Sequence, residues 1–110
     1  MATLFEKIIA GEIPCDKVFE NERILAFNDI APQAPVHVLI IPKKPIENIA
    51  AVSPEDQALL GEILVVAKQI AKENNLESFR LITNSGRQAG QEVFHLHFHL
   101  LGGRHLGHLG

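Results

Sequence analysis

Apolar residues follow two rhythms along this chain, one near 3.6 residues and one of two, and the switches between them predict its elements. In LFEKIIAGEIP, Leu4, Phe5, Ile8 and Ile9 form one helical stripe, and Gly11 with Pro14 ends a short helix there. DKVFENERILAFNDI then predicts two strands around an Asn21-Glu22 turn, with Val18 and Phe19 in the first and Ile24 to Phe27 in the second. Pro32 and Pro35 lack backbone donors, so APQAP is a loop. VHVLIIP, almost wholly apolar and rich in β-branched residues, predicts a strand covered on both faces and stopped by Pro42, with His37 its only polar residue.

Ser53, Pro54 and Asp56 start the long helix: a hydroxyl cap, proline at the first position and acids near the positive end. Ala58, Leu59, Ile63, Val66, Ala67 and Ile70 carry its apolar face, and Asn74-Asn75 ends it. SFRLITN and VFHLHFHLL are the last two strands, joined by the glycine-rich polar loop SGRQAGQE. Five strands with one short and one long helix give an α+β fold on an antiparallel sheet, in a single domain over residues 1–110.

Composition narrows the function. Apolar residues at 46% and charged residues at 21% exclude the signature of disorder, and a net charge of -3 without a dense basic run argues against nucleic acid as a partner. No apolar run approaches the ~18 residues that span a bilayer. The one cysteine, Cys15, has no internal partner, and the charged start does not resemble a signal peptide; both favour the cytoplasm.

The candidate chemistry lies in VFHLHFHLLGG, where His95, His97 and His99 occupy alternate positions. On a strand they share one face, while Phe94, Leu96, Phe98 and Leu100 share a buried one, which leaves the imidazoles open to ligand or solvent. At ~3.3 Å per residue, His95 and His99 start about 13 Å apart, too far for all three to close on one ion without a sharp bend. Two can share a metal, but His37, Cys15, His105 and His108 are not spaced to indicate a further ligand, so no metal and no cofactor is expected. The face can also be merely histidine-rich. Against that stands the loop before it: Asn84, Arg87 and Gln91, with the N–H groups around Gly86 and Gly90, suit a phosphate. A neutral imidazole beside a phosphate can attack phosphorus when its other nitrogen donates a hydrogen bond, and a neighbouring imidazole can stabilise the oxygens or serve the leaving group.

These residues resemble the histidine triad family, in its branch of small nucleotide-binding phosphoramidases. HLHFHLLGGR fits the triad, FNDIAPQAPVHVLIIPKK looks like the family's second signature, AGQEVFHLH fits its loop, and the similarity runs from Thr3 to about Gly107. The resemblance implies a homodimer that joins two five-stranded sheets into one of ten strands. It also implies a metal-free mechanism with His97 as nucleophile, His99 at the phosphate oxygens and leaving atom, and His95 and His37 orienting the nucleophile from behind. Asp29 would hold the ribose; Asn84, Gly90, Gln91 and Glu92 would surround the α-phosphate; Leu4, Phe5, Ile8, Phe27 and Ile30 would form the base pocket.

The implied reaction is hydrolysis of the P–N bond of a purine nucleoside phosphoramidate, releasing the nucleoside monophosphate and an amine. Two alternatives are a nucleotide-binding or interaction protein with incidental hydrolysis, and a dinucleoside polyphosphate hydrolase, against which LLGGR after the triad weighs. Glu92 stands where some relatives have serine, so only its N–H is expected to serve. Ala89 replaces a loop glycine, and the tail RHLGHLG is short, which bears on leaving-group range.

Overall fold

A computed structural model describes residues 2–110. It contains helix α1 (Leu4–Ile9), strands β1 (Lys17–Glu20), β2 (Ile24–Asn28) and β3 (Val36–Pro42), helix α2 (Gln57–Glu73), and strands β4 (Phe79–Ile82) and β5 (Phe98–Gly102). The five strands form one antiparallel sheet in the order β1-β2-β3-β5-β4. Among the described residues no helix is long and apolar enough to cross a membrane.

The sheet separates two apolar clusters. Ile24, Ala26, Val38, Ile40, Phe98 and Leu100 point to one side, where Ile63, Val66, Ala67, Ile70 and Ala71 of α2 complete the main core. Leu25, Phe27, Leu39 and Ile41 point to the other and meet Phe5 of α1. Both clusters draw on alternate positions of the same strands, as a period of two requires, and β3 is buried on both faces as its composition predicts. The second face is therefore not open, contrary to the expectation that the imidazoles on it face ligand or solvent. Phe5, 5% exposed, closes part of it.

Local chemistry explains the boundaries. Asn21 makes the first hairpin turn with its side chain, its Oδ1 accepting from the Arg23 and Ile24 N–H groups at 2.8 Å each. Its Nδ2 and the Arg23 guanidinium both donate to Glu62, which ties the hairpin to α2. Thr3 and Glu6 form a reciprocal capping box at 3.1 Å each way, which matters for a helix of only six residues. Pro54–Asp56 is a 3-10 turn that leads into α2, with Asp56 accepting the Ser53 N–H at 2.9 Å, and Asn75 at φ 57° ends the helix region.

The histidine segment departs from expectation. The strand predicted to start at Val93 begins only at Phe98, because β3 offers its ladder to β5 no further than Ile40↔Phe98. Beyond that point imidazoles take the carbonyls. His95 Nε2 lies 2.7 Å from the Pro42 carbonyl oxygen, His97 Nδ1 lies 2.7 Å from the His95 carbonyl oxygen, and the Leu96 N–H donates to Ile46 at 2.6 Å. Leu96, Phe98 and Leu100 still enter the main core, so the alternation survives without the ladder, while Phe94 is only half-buried beneath the Arg87 guanidinium.

Candidate active site

The hydrogen bonds at the four histidines assign their tautomers. A carbonyl accepts only, so His97 Nδ1 must carry the proton that reaches the His95 carbonyl, and its Nε2 lone pair is left bare. By the same logic His95 Nε2 is protonated toward Pro42. The Gln33 N–H donates to His37 Nδ1 at 3.0 Å, which places the neutral ring's proton on Nε2, 2.9 Å from His99 Nδ1 and 3.4 Å from Asp29 Oδ2. His99 Nδ1 thus accepts, and its own proton sits on Nε2. The site pairs a bare nitrogen on His97 with a donor on His99, the two ring centroids 5.1 Å apart.

Burial holds His37, His97 and His99 neutral. Desolvation lowers the pKa of His37, with Asp29 partly opposing it. Desolvation also lowers that of His97, against the opposing hydrogen bond to the His95 backbone. His99 falls to about 4, through burial first and then the neighbouring His97 and His37. A neutral imidazole keeps its lone pair at ordinary pH, as a nucleophile needs. The Phe5 ring packs edge-on against His97, centroids 4.9 Å apart at 84°, and fixes its rotation.

A cavity of about 190 Å³ opens alongside, lined by Leu4, Phe5, Ile8, Phe27, Asp29, Ile30, Leu39 and Val93. It gathers the five apolar residues and the acid singled out in the sequence. Its volume lies below the ~300 Å³ at which whole-ligand pockets begin, so it suits one flat ring system rather than an entire nucleotide. Ile30, 99% exposed, stands at its rim. Asp29 Oδ1 accepts the Ala31 N–H at 2.8 Å, which leaves Oδ2 facing the His37 ring.

The glycine-rich loop is arranged differently from a simple phosphate cradle. The N–H groups of Ala89, Gly90 and Gln91 donate to the loop's own carbonyls at Gly86 and Arg87. Gln91, 3% exposed, spends its whole side chain inside: Oε1 accepts from the Gly86 N–H and Asn48, and Nε2 donates to the Glu47 and Val93 carbonyls. Gln91 is a brace that joins this loop to the one after β3. The exposed Glu92 takes no part in these bonds, and the half-buried Asn84, whose amide makes no hydrogen bond among the described residues, lies beside Gly90, whose φ of 99° favours glycine.

Asp29, His37 and His99 offer three ligand atoms within 4.8 Å of one another. Their hydrogen bonds oppose a metal. A metal-bound histidine donates its second N–H, whereas His37 Nδ1 accepts from Gln33, so its Nε2 cannot give up its proton without breaking that bond.

The family model described as the HIT domain matches residues 10–106. The chain belongs to the HIT domain family. A HIT-like protein of Synechocystis is 54% identical over 103 residues, 93% of this chain and 90% of its own length. The Escherichia coli purine nucleoside phosphoramidase is 49% identical over 107 residues, 96% of this chain and 90% of its own. The crystal structure of a HIT family hydrolase from Legionella pneumophila superposes with a TM-score of 0.94 at 51% identity, covering 96% of each chain.

Within this HIT domain the residues that sequence reading passed over are mostly backbone groups. The carbonyls of Pro42 and His95 and the N–H of Gln33 orient the rings, and no side-chain motif announces them. His37 bonds His99 rather than His97, and His95 orients His97 with its carbonyl rather than its ring. Leu39 and Val93 join the cavity from positions that the sequence does not single out.

Proposed function

We propose that this HIT-domain protein is a hydrolase of purine nucleoside phosphoramidates, with His97 as the nucleophile. The observation that carries the reading is the His97 ring, whose Nδ1 proton is held by the His95 carbonyl so that Nε2 is bare beside the His99 donor. The name of the E. coli relative, purine nucleoside phosphoramidase, supports the substrate class. The base enters the cavity under Phe5 and Phe27, the ribose hydroxyls meet Asp29, and the α-phosphate lies between the histidines and Asn84.

His97 Nε2 attacks phosphorus, and the bond from phosphorus to the amine nitrogen breaks. The departing nitrogen takes a proton from His99, whose protonation the phosphate's negative charge favours. Water then attacks phosphorus, the bond to His97 breaks, and the nucleoside monophosphate leaves as a proton returns to His99. Turnover of an adenylated lysine or tryptamine by the wild type and by His97→Ala tests this: loss of at least ~10³-fold with nucleotide binding retained supports it, and undiminished turnover sinks it.

The proposed assembly is a homodimer through β4. Phe79 is 43% exposed on that open sheet edge, and α2 presents the exposed Leu64 and Val65, whereas the opposite edge strand β1 is blunted by Lys17 and Glu20.

A further inference from the structure

Two consecutive residues directly after β5, Gly103 and Arg104, hold the loop that orders His37. Gly102 lies so close to Leu76 that a Cβ there would come within 2.7 Å of its Cδ1. Gly103, at φ 94°, lies against Pro35, whose Cβ would be 2.9 Å from an added Cβ. The Arg104 guanidinium then donates to the Gln33 carbonyl at 2.7 Å and to the His105 carbonyl at 2.8 Å. Gln33 is the residue whose N–H meets His37 Nδ1, and its side chain also donates to the Ala31 carbonyl at 3.1 Å.

The loop from Asp29 to His37 is thus seated by bonds of two kinds. Its internal bonds are the Asp29 N–H to the His37 carbonyl, the Ala31 N–H to Asp29, and Gln33 to Ala31. Its external anchor is the Gly103-Arg104 pair. Pro32, Gln33 and Pro35 are exposed, and between them only the small Ala34 side chain is buried.

We propose that Arg104 is a positioning residue: by clamping the Gln33 peptide it keeps the Gln33 N–H on His37 Nδ1, and so sets the tautomers of both His37 and His99. Without the clamp the Gln33 N–H swings from the ring, and only the Asp29 carboxylate, 3.4 Å from Nε2, still opposes a move of the His37 proton to Nδ1. His37 Nε2 then accepts rather than donates, His99 turns its Nδ1–H toward it, and His99 Nε2 loses the proton that faces the phosphate. The donor at the reaction centre is in this way set by a residue that touches neither phosphate nor nucleophile.

The consequence for turnover rests on the proposed function, but the tautomers do not, and they are read in the ligand-free protein. Long-range ¹H–¹⁵N correlation spectra of the whole chain should show His37 and His99 both as Nε2–H tautomers in the wild type. In Arg104→Ala both should become mixtures, while His97 keeps its Nδ1–H form; Arg104→Lys, which restores a donor, should recover the wild-type pattern. Gly103→Ala, which presses on the same loop at Pro35, should reproduce the mixture with Arg104 intact. With a phosphoramidate substrate, Arg104→Ala should lower kcat about tenfold with KM nearly unchanged. Unaltered His37 and His99 tautomers in folded Arg104→Ala overturn the proposal. Altered tautomers without any turnover in the wild type leave it standing and count against the phosphoramidase reading instead.

Discussion

Gln91 shows how far a single side chain can be misjudged from its type. An exposed amide in a glycine-rich loop is a natural phosphate donor, yet here the amide is buried with every hydrogen-bonding site filled by backbone and Asn48. Truncation leaves several buried partners unpaired, each worth about 1–3 kcal/mol. Gln91→Ala should therefore destabilise the chain by roughly 2–4 kcal/mol in urea unfolding. A cost below about 0.5 kcal/mol, the level of an ordinary surface substitution, would contradict the bracing role. His95, His97 and His99 were legible as a set from their strand context, and His37 joined them only through the family resemblance. Their unequal states were not, because each is decided by a carbonyl or N–H brought near by folding.

At the scale of elements, β4 carries the clearest unmet requirement. Its open edge and the exposed Phe79 ask for a partner, which the proposed homodimer would supply with a second copy of the sheet. Sedimentation should give twice the 12.1 kDa chain mass for the wild type and the single mass for Phe79→Lys. A monomer in the wild type at micromolar concentration would refute the ten-stranded assembly. The elements themselves were readable where periodicity and punctuation agree: α2 between Ser53 and Asn75, β2, and the almost wholly apolar β3. They were not readable at VFHLH, where perfect alternation suggests a strand. The ladder stops at Ile40↔Phe98, short of the end of β3, and beyond it the Pro42 carbonyl is taken by an imidazole. Nor could the apolar stripe of α1 tell that its Phe5 would close over the histidine face.

For the whole molecule, three histidines with depressed pKa values link stability to pH. An unfolded histidine binds its proton near pH 6.5, but His99 in the folded chain waits until about 4, and His37 and His97 are shifted in the same direction. Between those values the unfolded state holds more protons, so stability falls as pH falls, and it is level above 6.5 with respect to these groups. His99 alone contributes up to about 3 kcal/mol. Urea midpoints should therefore drop steadily from pH 6.5 to 4.5, before most carboxylates titrate; constant midpoints across that window would contradict neutral buried rings.

The fold, the cavity and the tautomers meet in one claim, that His97 Nε2 attacks phosphorus. Wild-type protein mixed with an adenylated amine, quenched within the first turnover and digested, reports on it directly by mass. The account predicts one nucleoside monophosphate on the peptide carrying His97, absent from His97→Ala. Rapid substrate cleavage with no such adduct on His97, or an adduct on another residue, would contradict it.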